Sequence, residues 1–498
     1  MSTESTTPPA LELSAAERCT EKLNDFSDRL PPMMVKELRQ GLRAKTFVAV
    51  FLGLQLFLGI VMLFATAASG MATAGEAVSQ IIFLFFSLAV LVVQPLRAMN
   101  SLHGEIKSTT IDMMVLTRLN ARRIVAGKWA AIVGQTLLLF ISIIPYLILR
   151  YFFGGMNLFA ELLALGTVFL ASAGLTAINV GLSSNPAIVV RGIVPLIIAL
   201  FMFSATMGIM DEFEDFLEFF AMADAEQVGY YLAFLLGGLY LAWITFGIGV
   251  TAIAPLAENH TTLNRLVTLG VMALVLLILV AIDFSDPEAI PFIIGAVALP
   301  AIIMALTEGN YLMSRVAQPF VRRGFAGKAA GLFLYPCWTS GVHFTALVSL
   351  LVLAIGAATT LMRSGMRFGA EEFTVLCSLT GSLLLPGILV AWFYQKIQNR
   401  LGFYLVALIA SYCLTLSLIA VAESTDAEHL VWIFAWLSPV HLYMVDSSAF
   451  DETPVLLTSL ICTCCYLGIL LIQAWKRYPT IRQAEQQAQE ASEAPAHE

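Results

Sequence analysis

The sequence predicts an all-α polytopic integral membrane protein with about 12 transmembrane helices, and three observations carry that prediction. The 498 residues are 59% hydrophobic and only 12% charged, with a mean hydropathy of +0.83. A water-soluble chain of this size has no interior large enough to hide so much apolar surface. The apolar residues fall into twelve runs of bilayer length, and lipid forces each run to satisfy its own backbone hydrogen bonds as a helix. Threading the runs alternately across a membrane places 24 of the 27 Lys and Arg residues on one side, which the positive-inside rule makes the cytoplasmic side.

Residues 1–45 form a polar N-terminal segment. It begins Ser2-Thr3-Glu4, carries both signs of charge and lacks the apolar core and small-residue cleavage site of a secretory signal, so the N-terminus is expected in the cytoplasm. Pro31 and Pro32 suit a helix start. Met34, Val35, Leu38 and Leu42 then recur at helical spacing, flanked by Lys36, Arg39, Arg43 and Lys45. This pattern predicts an amphipathic helix on the inner membrane surface, with Lys36, Glu37, Leu38, Arg39 and Arg43 as its candidate functional residues. The plainer alternative is a basic stop before the first span.

The predicted spans of the first half (46–254) are 46–69, 77–95, 129–149, 162–182, 187–210 and 228–254. Those of the second half (255–474) are 266–282, 288–306, 341–362, 373–394, 401–422 and 453–474. Each half reads as two spans, a long basic connection, two spans, a short break, a fifth span, an outer polar stretch and a sixth span. That shared plan is either a duplicated six-helix bundle or a coincidence. Residues 429–450 are apolar but broken by Pro439 and studded with Trp432, Trp436 and Tyr443. A re-entrant or interfacial stretch keeps Lys476 and Arg477 inside and is preferred to a thirteenth span. Residues 475–498 make a polar cytoplasmic tail, and Glu485 to Glu498 are expected to be disordered or a frayed helix without function.

The net charge of −8 is segregated by side and is no bulk property. No basic stretch interleaves with aromatics, so no nucleic-acid surface is expected. Of the seven cysteines, Cys462, Cys464 and Cys465 lie within an apolar run with no His or Asp nearby. They read as small helix residues and not as metal ligands.

The connection at 97–128 is the most informative polar stretch. Glu105 is followed by Thr110, which is placed to cap a short helix over 111–116, with Asp112 in its first turn where the helix dipole favours an acid. Asn120 is placed to cap a second helix rising into the third span. Met113, Met114 and Leu116 need a cover, whether lipid, the rest of the chain or a partner.

The surface helix followed by this loop resembles the membrane subunits of ABC-2 type transporters, the exporter-like permease family. Glu105 stands at that family's leading acidic position, Thr110 and Asp112 at its Thr and following acid, and Met113, Met114 and Leu116 in its apolar turn. Thr117 precedes the position of its usual Pro, and Gly127-Lys128 match its Gly-Lys at the third span. Thr109 replaces a Gly and Arg118 the Pro. The resemblance implies that Glu105, Thr110, Asp112, Met113, Met114, Leu116, Thr117, Gly127 and Lys128 form a coupling element seated on a separate P-loop ABC ATPase, which would hold ATP and Mg. Pro439 resembles the family's re-entrant region. A family unit has six spans, so the second half is an addition or a duplication. Its counterpart loop, Met313 to Lys328, either docks a second ATPase copy or faces lipid.

Gly127-Lys128-Trp129 and Gly327-Lys328-Ala329 lack both the glycine-rich nest and the hydroxyl of a P-loop, so no cofactor is expected in this chain. It also lacks a His-Glu-x-x-His zinc motif and a Gly-x-Ser-x-Gly elbow, so it is expected to be a non-catalytic transport subunit. The spans read as nearly free of charged residues, which argues against an ion-coupled carrier. The expected partners are ABC ATPase subunits, lipid, and a second permease copy or accessory membrane subunit. The expected location is a plasma membrane or bacterial inner membrane, with both termini cytoplasmic. Two alternatives stand beside this reading: an ATP-independent carrier or lipid-handling protein, and a membrane scaffold recruiting cytoplasmic partners.

Overall fold

The computed structural model describes residues 32–67, 71–108, 120–152, 157–222, 224–254, 258–281, 289–364, 370–424 and 452–493. Among these residues there are helices, turns and no strand, as lipid solvation of the backbone demands. Helix α1 (Pro32–Leu42) precedes the first span, α2 (Lys45–Ala67). Next comes α3 (Met71–Ser87), which continues through a π-helical turn (Leu88–Val93) to Leu96. The short α4 (His103–Lys107) leads toward α5 (Ala121–Tyr151), α6 (Leu158–Leu182) and a second π turn (Val189–Ile193) entering α7 (Val194–Asp211). The first half ends with α8 (Phe213–Phe219) and α9 (Ala225–Ile253). The second half holds α10 (Thr261–Ala281), α11 (Ile290–Thr307), the short pair α12 (Ser314–Val321) and α13 (Gly324–Leu334), then α14 (Trp338–Ser364), α15 (Ala370–Trp392), α16 (Arg400–Ser424) and α17 (Glu452–Arg477). A last helix, α18 (Pro479–Glu493), follows.

Twelve of these helices are long and apolar enough to cross a bilayer. The chain is an all-helical, multi-pass membrane protein. Leu56 and Phe64 on α2, Leu200 and Phe201 on α7, and Leu277 and Val280 on α10 are exposed, as befits side chains whose solvent is lipid.

Asparagine starts many of the spans. The side chain of Asn120 accepts from the Arg122 amide, Asn157 from Ala160, Asn185 from Ala187, Asn259 from Thr262 and Asn399 from Gly402. Each satisfies a backbone donor that a helix start leaves open. Both π turns are followed two residues later by a proline, Pro95 and Pro195, whose missing N–H shifts the hydrogen-bond register. Carbonyls in the first of these regions find partners on α6: Ser172 Oγ donates to Val90 O (2.6 Å) and Asn179 Nδ2 to Pro95 O (2.9 Å).

Two apolar cores result. Phe47, Leu58, Phe86, Leu139 and Ala164 belong to the first; Ile294, Trp338, Phe344, Leu384 and Leu470 belong to the second. Tyr240 and Ile244 on α9 belong to the second core, while the same helix lies along α6. At that crossing a Cβ on Gly181 would collide with the Thr245 carbonyl, so the two backbones meet where only glycine fits.

As expected, Asn120 caps a helix that rises into the third span, and it runs without a break from Ala121 to Tyr151. Two expectations change. Glu161 lies inside α6 and is buried, so the spans are less free of charge than their composition suggested. Over 479–493 the tail is a seated helix and is neither disordered nor frayed. Ile481, Ala484 and Ala488 share one face and pack with Val316, Ala317, Val321 and Tyr335 of the α12–α13 region, and Tyr335 donates to Glu485 Oε1 at 2.9 Å. Burial and that acidic acceptor push the Tyr335 phenol well above its usual range.

Candidate functional site

The surface helix, the loop after the second span and the start of the third span meet in one ion cluster. Lys128 Nζ lies 2.8 Å from Glu105 Oε1 and 3.2 Å from Glu37 Oε1. The lysine side chain is 6% exposed, and those of Glu37 and Glu105 are 22% and 18% exposed. Two carboxylates therefore share a single buried ammonium.

Each element is held there for a local reason. In α1, Lys36, Arg39 and Gln40 are exposed, the apolar stripe of Met34, Val35, Leu38 and Leu42 is half-buried and Met33, beside it, is buried. Its inner face lies along the first half of α5. A Cβ on Gly127 would stand 3.0 Å from Met33 Cγ, and one on Gly134 would stand 3.4 Å from Leu38 Cδ1. The glycine before Lys128 is thus one place of close approach, and Gly41 of α1, where a Cβ would collide with the Gln135 side chain, is another. Loop helix α4 is tied from another side: Ser183 Oγ, on the segment closing α6, accepts from the Leu102 amide at 3.1 Å and lies 3.1 Å from Ser101 Oγ. Arg97, at the start of the loop, reaches Gln94 (2.7 Å) and lies over the Phe47 ring of α2 (5.6 Å).

The structure thus brings together Glu37, Leu38, Glu105, Gly127 and Lys128, places Lys36 and Arg39 on the open face of the same helix, and leaves Arg43 exposed in the turn after it. Thr110, Asp112, Met113, Met114, Leu116, Thr117 and Pro439 lie outside the described residues. Cys337, Cys377 and Cys462 are buried and Cys413, Cys464 and Cys465 exposed. No group of metal-binding side chains occurs among the described residues.

Two polar centres escaped the sequence reading. At the far end of α5, Arg150 is buried, with Nε 2.8 Å from Ser79 Oγ, which in turn lies 3.1 Å from Glu161 Oε1; Arg150 Nη2 is 3.9 Å from the same oxygen. Lys128 and Arg150 stand about 33 Å apart along the helix at ~1.5 Å per residue, close to one hydrocarbon thickness. The two clusters therefore bracket α5 at opposite membrane faces. The second missed centre is Arg265, buried in the first turns of α10. Its Nη2 meets Glu308 Oε2 at 2.5 Å, and its Nη1 donates to the carbonyls of Phe333 (2.7 Å) and Tyr335 (2.9 Å). Nearby, Arg400 lies over the ring of Tyr394, and Arg477 over the rings of both Tyr394 and Trp338. The available signal was an Arg and a Glu at facing ends of consecutive spans.

Burial pushes the Glu308 carboxyl up to about 7, against the pull of Arg265. A carboxyl raised on folding stabilises most when protonated, so its contribution is full below about pH 4.5 and is lost as pH rises through 7. Thermal unfolding in detergent should show a midpoint that falls from pH 5 to pH 8, and Glu308→Gln should flatten that slope. An unchanged slope in the variant would remove Glu308 as its source.

No protein-family model, no curated protein and no solved structure matches the chain.

Proposed function

We propose that this chain is the membrane permease subunit of an ATP-driven exporter of the ABC-2 type, worked by separate P-loop ABC ATPase subunits that carry ATP and Mg. The observation that carries the reading is the Glu37–Lys128–Glu105 cluster. It locks an amphipathic helix and the loop after the second span onto the first turns of α5. A partner that moves the loop therefore moves α1 and α5 with it, and α5 reaches the opposite membrane face as one helix. The cluster side faces the cytoplasm in this reading, with both termini there, because that side gathers nearly all the basic residues.

Coupling asks the loop to present a contact, and in the sequence Met113, Met114 and Leu116 are the apolar side chains available for it. Purification of the full chain from its native cells in mild detergent should recover a P-loop ATPase in stoichiometric amount. Replacing Met113, Met114 and Leu116 together with Asp should leave the chain in the membrane and abolish that recovery. Full recovery with the triple variant would refute this contact. Intact chain recovered repeatedly without an ATPase would refute the exporter reading and favour the ATP-independent carrier or the scaffold.

An ATP-independent carrier is the second reading, and the buried Arg150–Ser79–Glu161 network favours it, since buried ionisable groups in spans mark transport pathways. Transport by the isolated chain in vesicles, without nucleotide, would decide for it.

A further inference from the structure

We infer that a cavity among α11, α14, α15 and α16 binds an uncharged, hydroxyl-bearing membrane amphiphile. This site stands apart from the ATPase reading and needs no partner chain. The cavity measures about 430 Å³, within the size of sites that enclose a small organic ligand. Phe292, Gly295 and Leu299 of α11 wall one side, and Leu379, Leu383 of α15 and Leu408 of α16 wall another. Leu299 and Leu379 are 39% and 38% exposed on the lipid-facing surface, so the cavity opens sideways into the bilayer.

Three polar features set the ligand's chemistry. Ser349 of α14 lines the cavity, is 2% exposed, and its Oγ has no hydrogen-bond partner among the described residues. It lies about 16 Å beyond Trp338 at ~1.5 Å per residue, near mid-membrane, where an unmet hydroxyl is costly. Thr380 of α15 commits its proton to Leu376 O at 2.8 Å, which leaves its oxygen as an acceptor facing the same space. Ala296 also lines the cavity, and Pro300, one turn later in α11, has no N–H to give the Ala296 carbonyl.

The lining therefore offers acceptors, among them Thr380 and Ser382, whose protons go to Leu376 O and Ser378 O, a phenol from Tyr412, and in Ser349 a hydroxyl without a partner among the described residues that both donates and accepts. A neutral alcohol satisfies that set. A pure hydrocarbon leaves Ser349 unmet. An anionic or cationic headgroup meets no opposite charge, because no acidic, basic or His side chain lines the cavity.

The test is photolabelling of the full chain in mild detergent with a diazirine- and alkyne-bearing long-chain fatty alcohol, beside its methyl ether. The alcohol should label the segments around Leu299, Leu379 and Tyr412, and unlabelled alcohol should compete. The ether should label roughly fivefold less, the effect of one net hydrogen bond. Ser349→Ala should lower labelling by the alcohol and the ether alike by roughly fivefold, because Ser349 donates to either oxygen while Thr380 and Ala296 still accept the alcohol's proton, and it should leave unliganded thermal stability no lower than that of the parent. Gly295→Leu should fill the space and reduce labelling by about tenfold; if that variant fails to fold, Ser349→Ala still decides. Labelling spread evenly onto lipid-facing residues such as Leu52 and Leu56 would overturn the inference. So would equal labelling by alcohol and ether, or labelling by both left unchanged in Ser349→Ala.

Discussion

Lys128→Met is expected to detach the N-terminal helix from the bundle. Glu37 and Glu105 keep little contact with water and have this ammonium between them, so deleting it leaves two facing carboxylates unneutralised. Breaking a buried pair costs about 3–5 kcal/mol, and the residual exposure of both acids places this case near ~3 kcal/mol. Thermal unfolding in detergent reads the loss directly. A second readout isolates the helix: Met33, buried against Gly127 in the parent, becomes a maleimide target as Met33→Cys only when α1 lifts away. Fast labelling of Met33→Cys in the Lys128→Met background, and slow labelling with Lys128 intact, is the expected pair. The triple variant Glu37→Gln, Glu105→Gln, Lys128→Met should recover most of the stability, because no charge is then stranded. If the exporter reading holds, the single variant also uncouples ATPase activity from transport while the ATPase stays bound through the loop.

Arg265→Met is the second large effect expected. One guanidinium holds the Glu308 carboxylate and two carbonyls that close α13, and its plane lies 5.4 Å from the Phe344 ring. Removal leaves three acceptors without their donor, and a loss of roughly 3–5 kcal/mol is expected. The loss should depend on pH with a definite sign. At pH 5 Glu308 takes up a proton and strands no charge, so the variant should be less damaged there than at pH 8. The carbonyl share of the loss should remain at both values. A pH-independent deficit would assign the whole effect to the carbonyls and none to the acid. Because Arg265 anchors the turn before α14, the variant should also loosen α13 and, through Tyr335 and Glu485, the C-terminal helix. Limited proteolysis after Lys328 and Arg482 would read that loosening.

Much of the site was legible in the sequence. The apolar spacing of Met34, Val35, Leu38 and Leu42 specified a one-faced helix, and the Gly127-Lys128 pair stood out through the family resemblance alone. Glu105 and Asp112 stood out as the two acids in an otherwise basic connection. What the sequence did not show was that Glu37 belongs with them: it sits 91 residues before Lys128 and reads as one more charge on a polar face. Arg150 and Glu161 were missed for the opposite reason. Charges at the ends of apolar runs are normally wet, and only the packing of α3 against α5 and α6 removes these two from solvent. The C-terminal helix was discounted because its composition is polar; a stripe of one Ile and two Ala becomes a packing face only when a complementary surface lies beneath it.

The sequence by itself determined the solvent, the helical class, the twelve spans and many of their starts. Lipid permits one local solution for each long apolar run, and an Asn before a span caps it without help from elsewhere. The tertiary structure alone decided which distant polar groups meet. Asn185 and Asn399 exchange hydrogen bonds of 3.2 and 2.6 Å across 214 residues, Arg150 finds Ser79, and Ser349 faces a cavity and not a neighbour. Such pairings depend on the rotation and height of each helix within the bundle. Those are set by side-chain packing over the whole membrane domain, which the periodicity of a single helix does not record.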